Sequence, residues 1–491
     1  MKKNYLFLLL FALMTTTGIS AADFIGVSSP AYCSEIQGNT TINVFAPTTY
    51  TGLDVHCWKQ GTANGGQGTY TLITTVSLNE SGTGSFVFPA DEYPHGPLTI
   101  RIAPTTGKDN RKNCYLQLYN KGGVSWKEGL PANPPAAAGM KLVFADDFDS
   151  ELSIGNDPFS HTYYDHKPPY GTQDFSSIRF TDFNSPNNPF SQVGTYLRIR
   201  ADANKNSTGL ISSMFSNNMG FSAEIPSYFE CRFVGPNVSG SWPAFWLLSK
   251  KDRMGDNTEP CDELDIIESY GYLLESEKQW YRVTAHAWGD TQEQKEAQTN
   301  ICEPFYRNQG VVDPYKHGIL GTWFDVPHIY GCKITEEYTT YYFDDIEVAK
   351  HKTLPISKRK PLYFLINLAT TGAVAPVDLS RYNGIMDMYV DYVRVYSGAS
   401  TSIPSIEQPE VNVEIYPNPA SSEMTISFNS PNLADIFVGI YDTLGQQKSS
   451  YQEYRQGEVN IPVDMSNMSN GFYLAKINIG NVQVNKKFIK K

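Results

Sequence analysis

The sequence predicts a mostly β protein with more than one domain, and three observations support this. Tyr, Phe, Thr, Asn and Gly are abundant and charged residues make up 18% of the chain, as half-buried strands and polar turns require. Short runs alternate apolar with polar residues between turns rich in Gly, Pro and Asn. A chain of 491 residues exceeds what one hydrophobic core usually serves. We therefore expect two or three all-β domains.

The chain begins with the pattern of a signal peptide. Lys2 and Lys3 form a basic start, residues 6–14 an apolar core, and residues 20–22 a small-residue cleavage region. The apolar core is too short to span a bilayer, which disfavours the alternative of a membrane anchor. We expect residues 1–22 to be removed and the mature protein to lie outside the cytoplasm.

The remaining chain divides into three predicted domains joined by two linkers. Alternating short runs predict a small sandwich at residues 23–128, a large antiparallel sandwich or barrel at 141–398, and another small sandwich at 411–491. Residues 129–140 are rich in Pro and Ala without periodicity, and residues 399–410 are of low complexity, so both are predicted linkers.

Composition also limits partners and cofactors. The formal net charge of −12 disfavours nucleic acid and heavily sulfated polymers, whereas a neutral polymer fits more easily. The seven cysteines are scattered and match no zinc spacing. Pairing within the group Cys33, Cys57 and Cys114 and burial as free thiols both stay open. We expect no cofactor, and no sequence pattern supports a structural calcium ion.

The densest acidic cluster lies inside an apolar run at residues 262–268. Residues two apart share one face of a strand, so Glu263 and Asp265 point together while Leu264 faces away. Glu268 has the wrong parity. One extra residue, inserted as a β-bulge near residues 266 and 267, would turn Glu268 onto the same face. We therefore expect a bulge that brings three carboxylates into one cleft.

Three carboxylates on one face repel each other, and this repulsion raises the pKa of at least one of them, as a general acid working near neutral pH requires. Two carboxyls roughly 5 Å apart suit double displacement at a sugar, one as nucleophile and one as acid and then base. The alternatives are a solvated acidic edge strand and a calcium site.

The motif around this cluster resembles glycoside hydrolase family 16. The pattern E-x-D-x-x-E is followed by Ser-Tyr-Gly and preceded by the run GSWPAFWLL at residues 240–248. The likeness extends to FADDF at 144–148, NLA at 367–369 and MYVDYVRVY at 388–396. The bulged motif is similar to the laminarinase, agarase and carrageenase branches more than to the lichenase branch.

This resemblance implies a fold and roles for the acids. The expected fold is a concanavalin-like β-jelly-roll sandwich with a concave cleft, flanked by two small immunoglobulin-like sandwiches, although the first of these is only loosely similar to immunoglobulin-like accessory domains. Glu263 would be the nucleophile, Glu268 the acid/base and Asp265 the residue that modulates them. The implied reaction is retaining endo-hydrolysis of a β-linked polysaccharide.

Three further side chains are candidates for substrate binding. Trp242 and Trp246 are four residues apart and so share one strand face, where an indole can stack on a sugar ring; core packing is the alternative. His286 lies on a run that family members place beside the catalytic strand. It is predicted to bond a catalytic carboxylate or a sugar hydroxyl, with a structural role as the alternative.

One departure from the family leaves the substrate open. After the run HIYG at residues 328–331, the family strand continues two residues on into an acidic residue and a Trp, where this chain has Lys333 and Ile334. A β-1,3-linked or mixed-linkage glucan is the favoured substrate, and a galactan such as agarose is the runner-up. A carbohydrate-binding protein without hydrolysis is the rival from another class.

The end of the chain has its own resemblance. The runs IYPNPA at 415–420, VGIYDTLG at 438–445 and NGFY at 470–473, followed by a basic end, look like a type IX secretion sorting domain. That likeness implies export across a bacterial outer membrane by the type IX machinery, removal of the module, and secretion or attachment at the cell surface.

Overall fold

A computed structural model of the chain describes residues 23–59, 69–107, 113–123, 134–169, 175–256, 258–271, 280–300, 309–319, 321–372, 377–398, 412–442, 446–479 and 482–491. The chain forms two compact units that divide between Ser400 and Thr401. The predicted signal peptide at 1–22 and the linker at 399–410 lie outside the described residues. The predicted domain boundaries stay predictions.

The first part of unit one is a small β-sandwich. One sheet has the order β1-β3-β6 and the other β2-β8-β7-β4-β5. The strands are β1 Gly26–Ser29, β2 Glu35–Ile36, β3 Asn39–Phe45, β4 Gly52–Lys59, β5 Thr69–Ser77, β6 Thr83–Pro89, β7 Gly96–Pro104 and β8 Cys114–Asn120.

The larger part of unit one is built from two facing sheets and confirms the predicted jelly-roll sandwich. The site sheet has the order β10-β11-β14-β23-β16-β17-β18-β19, and the back sheet has the order β12-β13-β24-β15-β20-β21-β22 with β9 on β24. The elements are β9 Lys141–Asp146, β10 Ile154–Gly155, β11 Tyr163–Tyr164, β12 Phe190–Val193, β13 Tyr196–Asp202, β14 Leu210–Ser212, β15 Ser227–Val234, β16 Ser241–Ser249, β17 Cys261–Glu268, β18 Tyr281–Trp288, α1 Gln292–Asn300, β19 Gln309–Val312, β20 His328–Ile334, β21 Tyr338–Phe343, β22 Ile346–Lys352, β23 Leu362–Thr370 and β24 Ile385–Ser397.

Strand alternation separates the core from the cleft. On β23, Phe364 and Ile366 point into the core between the two sheets, whereas Leu365 packs on the opposite face with Trp246. Such alternation follows from the two-residue period of a strand. Ile334, at the departure from the family pattern, is fully buried in the core. That position therefore does not face the cleft, so the departure has no direct bearing on the substrate.

The small sandwich packs on the outer face of the back sheet. Tyr119 of β8 lies in one buried cluster with Tyr196 of β13 and Tyr389 of β24. Thr99 of β7 donates its backbone N–H to the Asp325 carbonyl oxygen at 3.0 Å. Beneath this contact the buried Arg232 is paired with the buried Asp391. The two parts of unit one are thus joined by apolar packing and backbone hydrogen bonds.

Part of the predicted linker 129–140 is also packed. Ala136 and Ala137 lie in a single 3₁₀ turn and are buried against Tyr228 and Tyr396 of the back sheet. The cysteines of the described residues, Cys33, Cys57, Cys114, Cys231, Cys261 and Cys332, are all free thiols. Of the two alternatives for the N-terminal cysteines, the structure therefore has buried free thiols.

Unit two is a separate β domain with its own core. Its sheet has the order β25-β26-β28-β29, with β27 paired to β26. Core residues such as Ile426 and Ile477 alternate with less buried residues along the strands, whereas Val438 lies in a run, residues 436–440, that is buried throughout. The strands are β25 Glu414–Tyr416, β26 Glu423–Tyr441, β27 Gln447–Asp464, β28 Gly471–Ile479 and β29 Val482–Lys490. Within the described part of the whole chain, no helix has the length and apolarity to cross a membrane.

Candidate active site

The predicted bulge is present on β17. Against β16, Phe245 pairs with Ile267 and Trp246 with Asp265, so Ile266 has no partner in the register. Against β18, Asp265 pairs with Thr284 and Glu268 with Arg282, which again leaves one extra residue on β17. The extra residue restores the parity of Glu268, and Glu263, Asp265 and Glu268 all line one cavity.

This cavity has a volume of about 210 Å³ and lies on the site sheet. Aromatic rings and carboxylates together form its wall, a mixture suited to a sugar ring with apolar faces and polar edges. The lining residues are Lys167, Phe175, Trp242, Ala244, Trp246, Glu263, Asp265, Glu268, Trp288 and Asn367. A larger cavity of about 360 Å³ contains Tyr164 and Asp182 but none of the three carboxylates, so we place the chemistry at the smaller one.

Glu268 is held by three hydrogen-bond donors. Trp242 Nε1 and Tyr270 Oη donate to its Oε1, each at 3.1 Å, and Thr284 Oγ1 donates to its Oε2 at 2.9 Å. The Trp242 and Tyr270 rings stack with centroids 5.7 Å apart. Because a hydroxyl can turn to accept instead of donate, Tyr270 and Thr284 serve both the ionised and the protonated carboxyl.

Glu263 has a different environment. Trp288 Nε1 donates to Glu263 Oε2 at 3.1 Å, and the Trp288 ring is 47% exposed. His286, directly opposite Glu263 in the register, stacks on Trp288 at 4.5 Å between centroids. The N–H edge of the Trp288 indole therefore holds the Glu263 carboxylate, while about half of the surface of Trp288 remains accessible to a ligand.

All three carboxyls have raised pKa values. Burial is the largest cause for each. The pKa of Asp265 is raised well above its usual range because the charges of Glu268 and Glu263 add to burial. Hydrogen bonds oppose the shift at Glu268, as does the Lys167 charge at Glu263. Burial of like charges in this way is typical of functional sites.

His286 Nε2 lies 4.0 Å from Glu263 Oε1 and 4.0 Å from Asp265 Oδ2. Both distances exceed a hydrogen bond, so His286 faces the two acids without bonding them directly. Burial lowers the pKa of His286, which favours the neutral imidazole near neutral pH.

The two predicted platforms lie in different settings. Trp242 is half-buried beside Glu268, whereas Trp246 is only 5% exposed and donates from Nε1 to Asn367 Oδ1 at 2.8 Å. The Lys167 ammonium lies 5.4 Å from the centroid of the Trp246 ring. Both indoles line the cavity, and their roles in sugar binding stay predictions.

Sequence reasoning missed several residues of the site. Trp288 follows His286 by two positions on β18, and Tyr270 follows Glu268 by two, so strand parity could have indicated both. Thr284 is found only through its pairing with Asp265 across β17 and β18. Lys167 comes from a distant segment, and no local pattern marks it.

Among the residues that the structure describes, two groups of side chains have the spacing of a metal site. In the first, Glu263, Asp265 and His286 offer ligand atoms within 4.8 Å of each other. In the second, His166 Nδ1 lies 3.2 Å from Asp165 Oδ1 and 3.3 Å from an Asp182 oxygen. His166 hydrogen-bonds to Asp165 and lies close to Asp182, and these contacts account for the second group. The absence of a cofactor stays a prediction.

Comparison with known proteins locates two regions of similarity. Residues 414–491 match the family model of the secretion system C-terminal sorting domain. The chain is 30% identical over 273 residues to the endo-1,3-1,4-beta-glycanase EglC of Rhizobium meliloti (strain 1021), which is 52% of this chain and 52% of that protein. It is also 30% identical over 217 residues to the endo-1,3-1,4-beta-glycanase ExsH of the same organism, 43% of this chain and 40% of that protein.

Among solved structures, the endo-beta-1,3-glucanase from Pyrococcus furiosus is similar, with 21% sequence identity and a TM-score of 0.39. The match covers 53% of this chain and 95% of that structure. The chain spans about half the length, or less, of the curated relatives that it matches. The resemblances to a glycanase region and to a sorting domain are both confirmed, and the sorting domain indicates a secreted or surface-attached bacterial protein.

Proposed function

We propose that this chain, whose residues 414–491 belong to the secretion system C-terminal sorting domain family, is a secreted retaining endo-β-glycanase with a glycoside hydrolase family 16 catalytic region. A β-1,3-linked or mixed-linkage glucan is the proposed substrate, as the names of both curated relatives suggest. The observation that carries the proposal is the bulge on β17, because it places Glu263, Asp265 and Glu268 on one cavity wall.

In the proposed first step, ionised Glu263 attacks the anomeric carbon and the glycosidic bond breaks. Glu268 gives its proton to the departing oxygen, and a covalent glycosyl-enzyme forms on Glu263. The raised pKa of Glu268 supports this role, because the residue must carry a proton near neutral pH to act as an acid.

In the proposed second step, water attacks the anomeric carbon of the intermediate. Glu268, now ionised, takes a proton from the water, and the bond to Glu263 breaks with overall retention of configuration. Asp265 lies between the two glutamates in the sequence and faces the same cavity. The charges of both glutamates, together with burial, raise the pKa of Asp265, and this favours a neutral Asp265 that adds no further repulsion to the cavity.

The proposal is tested by incubating the protein with β-1,3-glucan, mixed-linkage glucan, agar, porphyran, carrageenan and mucin glycans. New reducing ends should appear with one of the two glucans and should be absent with the Glu263→Gln variant. Proton NMR of the first product should show the β anomer. Cleavage of agar alone would replace the glucan by a galactan, and binding without cleavage of any polymer would contradict the enzymatic function.

Export is tested separately. The proposed mature protein lacks residues 1–22 and the sorting domain, since the sorting machinery removes the module. Intact-mass measurement on protein secreted by the native host should give a mass without both ends. A secreted form that retains Lys491 would contradict removal of the tail.

A further inference from the structure

The carboxylate cavity contains a cation that the proposed mechanism does not yet use. Among the described residues that line it, Lys167 is the one basic side chain and faces three acids. The Lys167 ammonium lies 5.4 Å from the centroid of the Trp246 ring. Trp246 is in turn the direct cross-strand neighbour of Asp265. The positive charge therefore lies over the strand beside the acids.

The backbone before Lys167 is fixed by hydrogen bonds. Tyr164 pairs with Ser212 at the edge of the site sheet. The next residue, Asp165, is 3% exposed, and its Oδ2 accepts the backbone N–H of Phe183 at 3.0 Å. His166 then contacts both Asp165 and Asp182. This anchoring limits how far the Lys167 side chain can move from the cavity.

The proposed reaction needs opposite protonation states at two neighbouring glutamates. Glu263 must be ionised to attack, and Glu268 must be protonated to donate. Burial favours the neutral form of both. Some feature of the site must therefore favour the ionised form at Glu263 alone.

We propose that Lys167 is a positioning residue that keeps Glu263 in its ionised, nucleophilic form and so sets the acid side of the working pH range. This inference rests on the proposed function. The favourable interaction is between the ammonium and the carboxylate charge within one cavity of low polarity, where Coulomb attraction is stronger than in water. Lys167 acts through Glu263 and needs no contact with the reacting carbon.

The two glutamates are stabilised by different groups, which supports the proposal. At Glu263 the Lys167 charge is the largest influence that lowers the pKa, followed by the Trp288 hydrogen bond. The Lys167 charge also opposes the rise in the pKa of Asp265, and the contrast is therefore between these two acids and Glu268. At Glu268 the influences that lower the pKa are hydrogen bonds from Thr284, Tyr270 and Trp242. Loss of the lysine charge should therefore change the ionisation of Glu263 more than that of Glu268.

Within the described part of the chain, the other ionisable groups around Glu263 do not replace this cation. His286 is shifted toward its neutral form, and the remaining groups are acids, a thiol and a phenol. The ionisable groups that face or influence Glu263, taken from its own strand, from β18, from β23 and from the segment before residue 170, are Cys261, Asp265, Glu268, His286, Tyr363 and Lys167.

The test compares the pH profile of kcat/KM in wild type, Lys167→Met and Lys167→Arg. The methionine variant keeps the length of the side chain and removes its charge, so the acid limb should move to higher pH by about one unit. The basic limb, which reports Glu268, should move less. The arginine variant should restore the acid limb. Lys295→Met, which removes an exposed charge from α1, should have the wild-type profile.

An acid limb that stays in place in Lys167→Met, or equal movement of both limbs, would overturn the proposal. NMR titration of the carboxyl carbons in wild type and Lys167→Met, assigned with Glu263→Gln, gives a readout that needs no turnover. If the wild type cleaves no polymer, the proposed function fails, yet a Glu263 titration that shifts upward still supports the role of Lys167. An unshifted Glu263 titration contradicts that role alone.

Discussion

Unit one has buried charged side chains in two regions. In one region opposite charges are paired, and in the other like charges lie together. On the back sheet Arg232 is paired with Asp391, and Arg200 bonds Asp387 through two contacts of 2.7 Å. On the site sheet three acids share one cavity, and Lys167 is the one lysine among the described residues that line it. Buried opposite charges satisfy each other, whereas buried like charges raise the free energy of the folded state.

This difference separates structural from functional charge. The back-sheet pairs lie on the face that the small sandwich covers, and the fully buried pair Arg232 and Asp391 has no access to water there. The acids of the site sheet open into a cavity that a substrate can enter. A cluster that is unfavourable for stability and has no structural use is expected only where chemistry requires it.

The largest effect should follow from removing either glutamate, which tests the functional side of the comparison. Glu263→Gln should lower turnover of every substrate by about 10⁴-fold or more, because no covalent intermediate can form. Glu268→Gln should lower polymer cleavage by about 10²–10⁴-fold but spare the first step on an aryl glycoside with a good leaving group.

The measurement is kinetics on polymer and aryl glycoside, followed by mass spectrometry of Glu268→Gln. A glycosyl adduct should accumulate on Glu263, since its hydrolysis lacks a general base. An adduct on Glu268 in the Glu263 variant would reverse the roles assigned to the two glutamates. Equal losses of activity on both substrates for both variants would contradict these roles altogether.

Breaking a back-sheet pair should affect stability instead of chemistry. Arg232→Met leaves Asp391 buried without its partner, so the free energy of unfolding should fall by about 3–5 kcal/mol. Folded Arg232→Met should retain the wild-type kcat/KM. Denaturant unfolding and kinetics on the same preparation give both numbers. An Arg232→Met protein that is as stable as wild type but less active would contradict the distinction between a structural and a functional region.

Trp242 is half-buried and donates a hydrogen bond to Glu268, so two variants can separate a packing role from the proposed role in catalysis. Trp242→Ala should lower kcat/KM by about 100-fold, because both a stacking surface and a donor to Glu268 are lost. Trp242→Phe keeps the ring and loses the donor, so the pKa of Glu268 should rise and the basic limb of the pH profile should move up. If Trp242→Ala unfolds while its folded fraction has normal kinetics, Trp242 is a core residue.

The smallest effect concerns the stability cost of Asp265. Its pKa is raised in the folded state, so the folded protein binds a proton more tightly than the unfolded chain and stability falls as pH rises from about 4 through the folded pKa. The stability of Asp265→Asn should not fall with rising pH in this way, so this variant should melt at a higher temperature than wild type at pH 7. Its activity should be lower than that of wild type.

Below pH 4 the melting temperatures of Asp265→Asn and wild type should converge. Asp391→Asn is the matched control on the back sheet and should melt lower than wild type at neutral pH, since the buried Arg232 guanidinium loses the opposite charge of Asp391. Equal melting curves for wild type and Asp265→Asn at both pH values would show that the carboxyl cluster has no stability cost.

Spacing along the chain was enough to predict the β class and the placement of the acids. Strand parity put Glu263 and Asp265 on one face, and the mismatch of Glu268 already required the bulge that the structure contains. Both arguments use the spacing of residues along one strand, which can be read directly from the sequence. The same parity could have added Trp288 and Tyr270.

The groups that other elements contribute to the site became evident only in the folded chain. Lys167 reaches the cavity from a segment almost 100 residues before Glu263, and Thr284 reaches Glu268 through the register of β17 with β18. Ile334 is a second example. The sequence did not show whether this residue faces the cleft, and its position on β20 places it in the core. Contacts across strands depend on register and sheet order, and a one-residue change in register would exchange cleft for core.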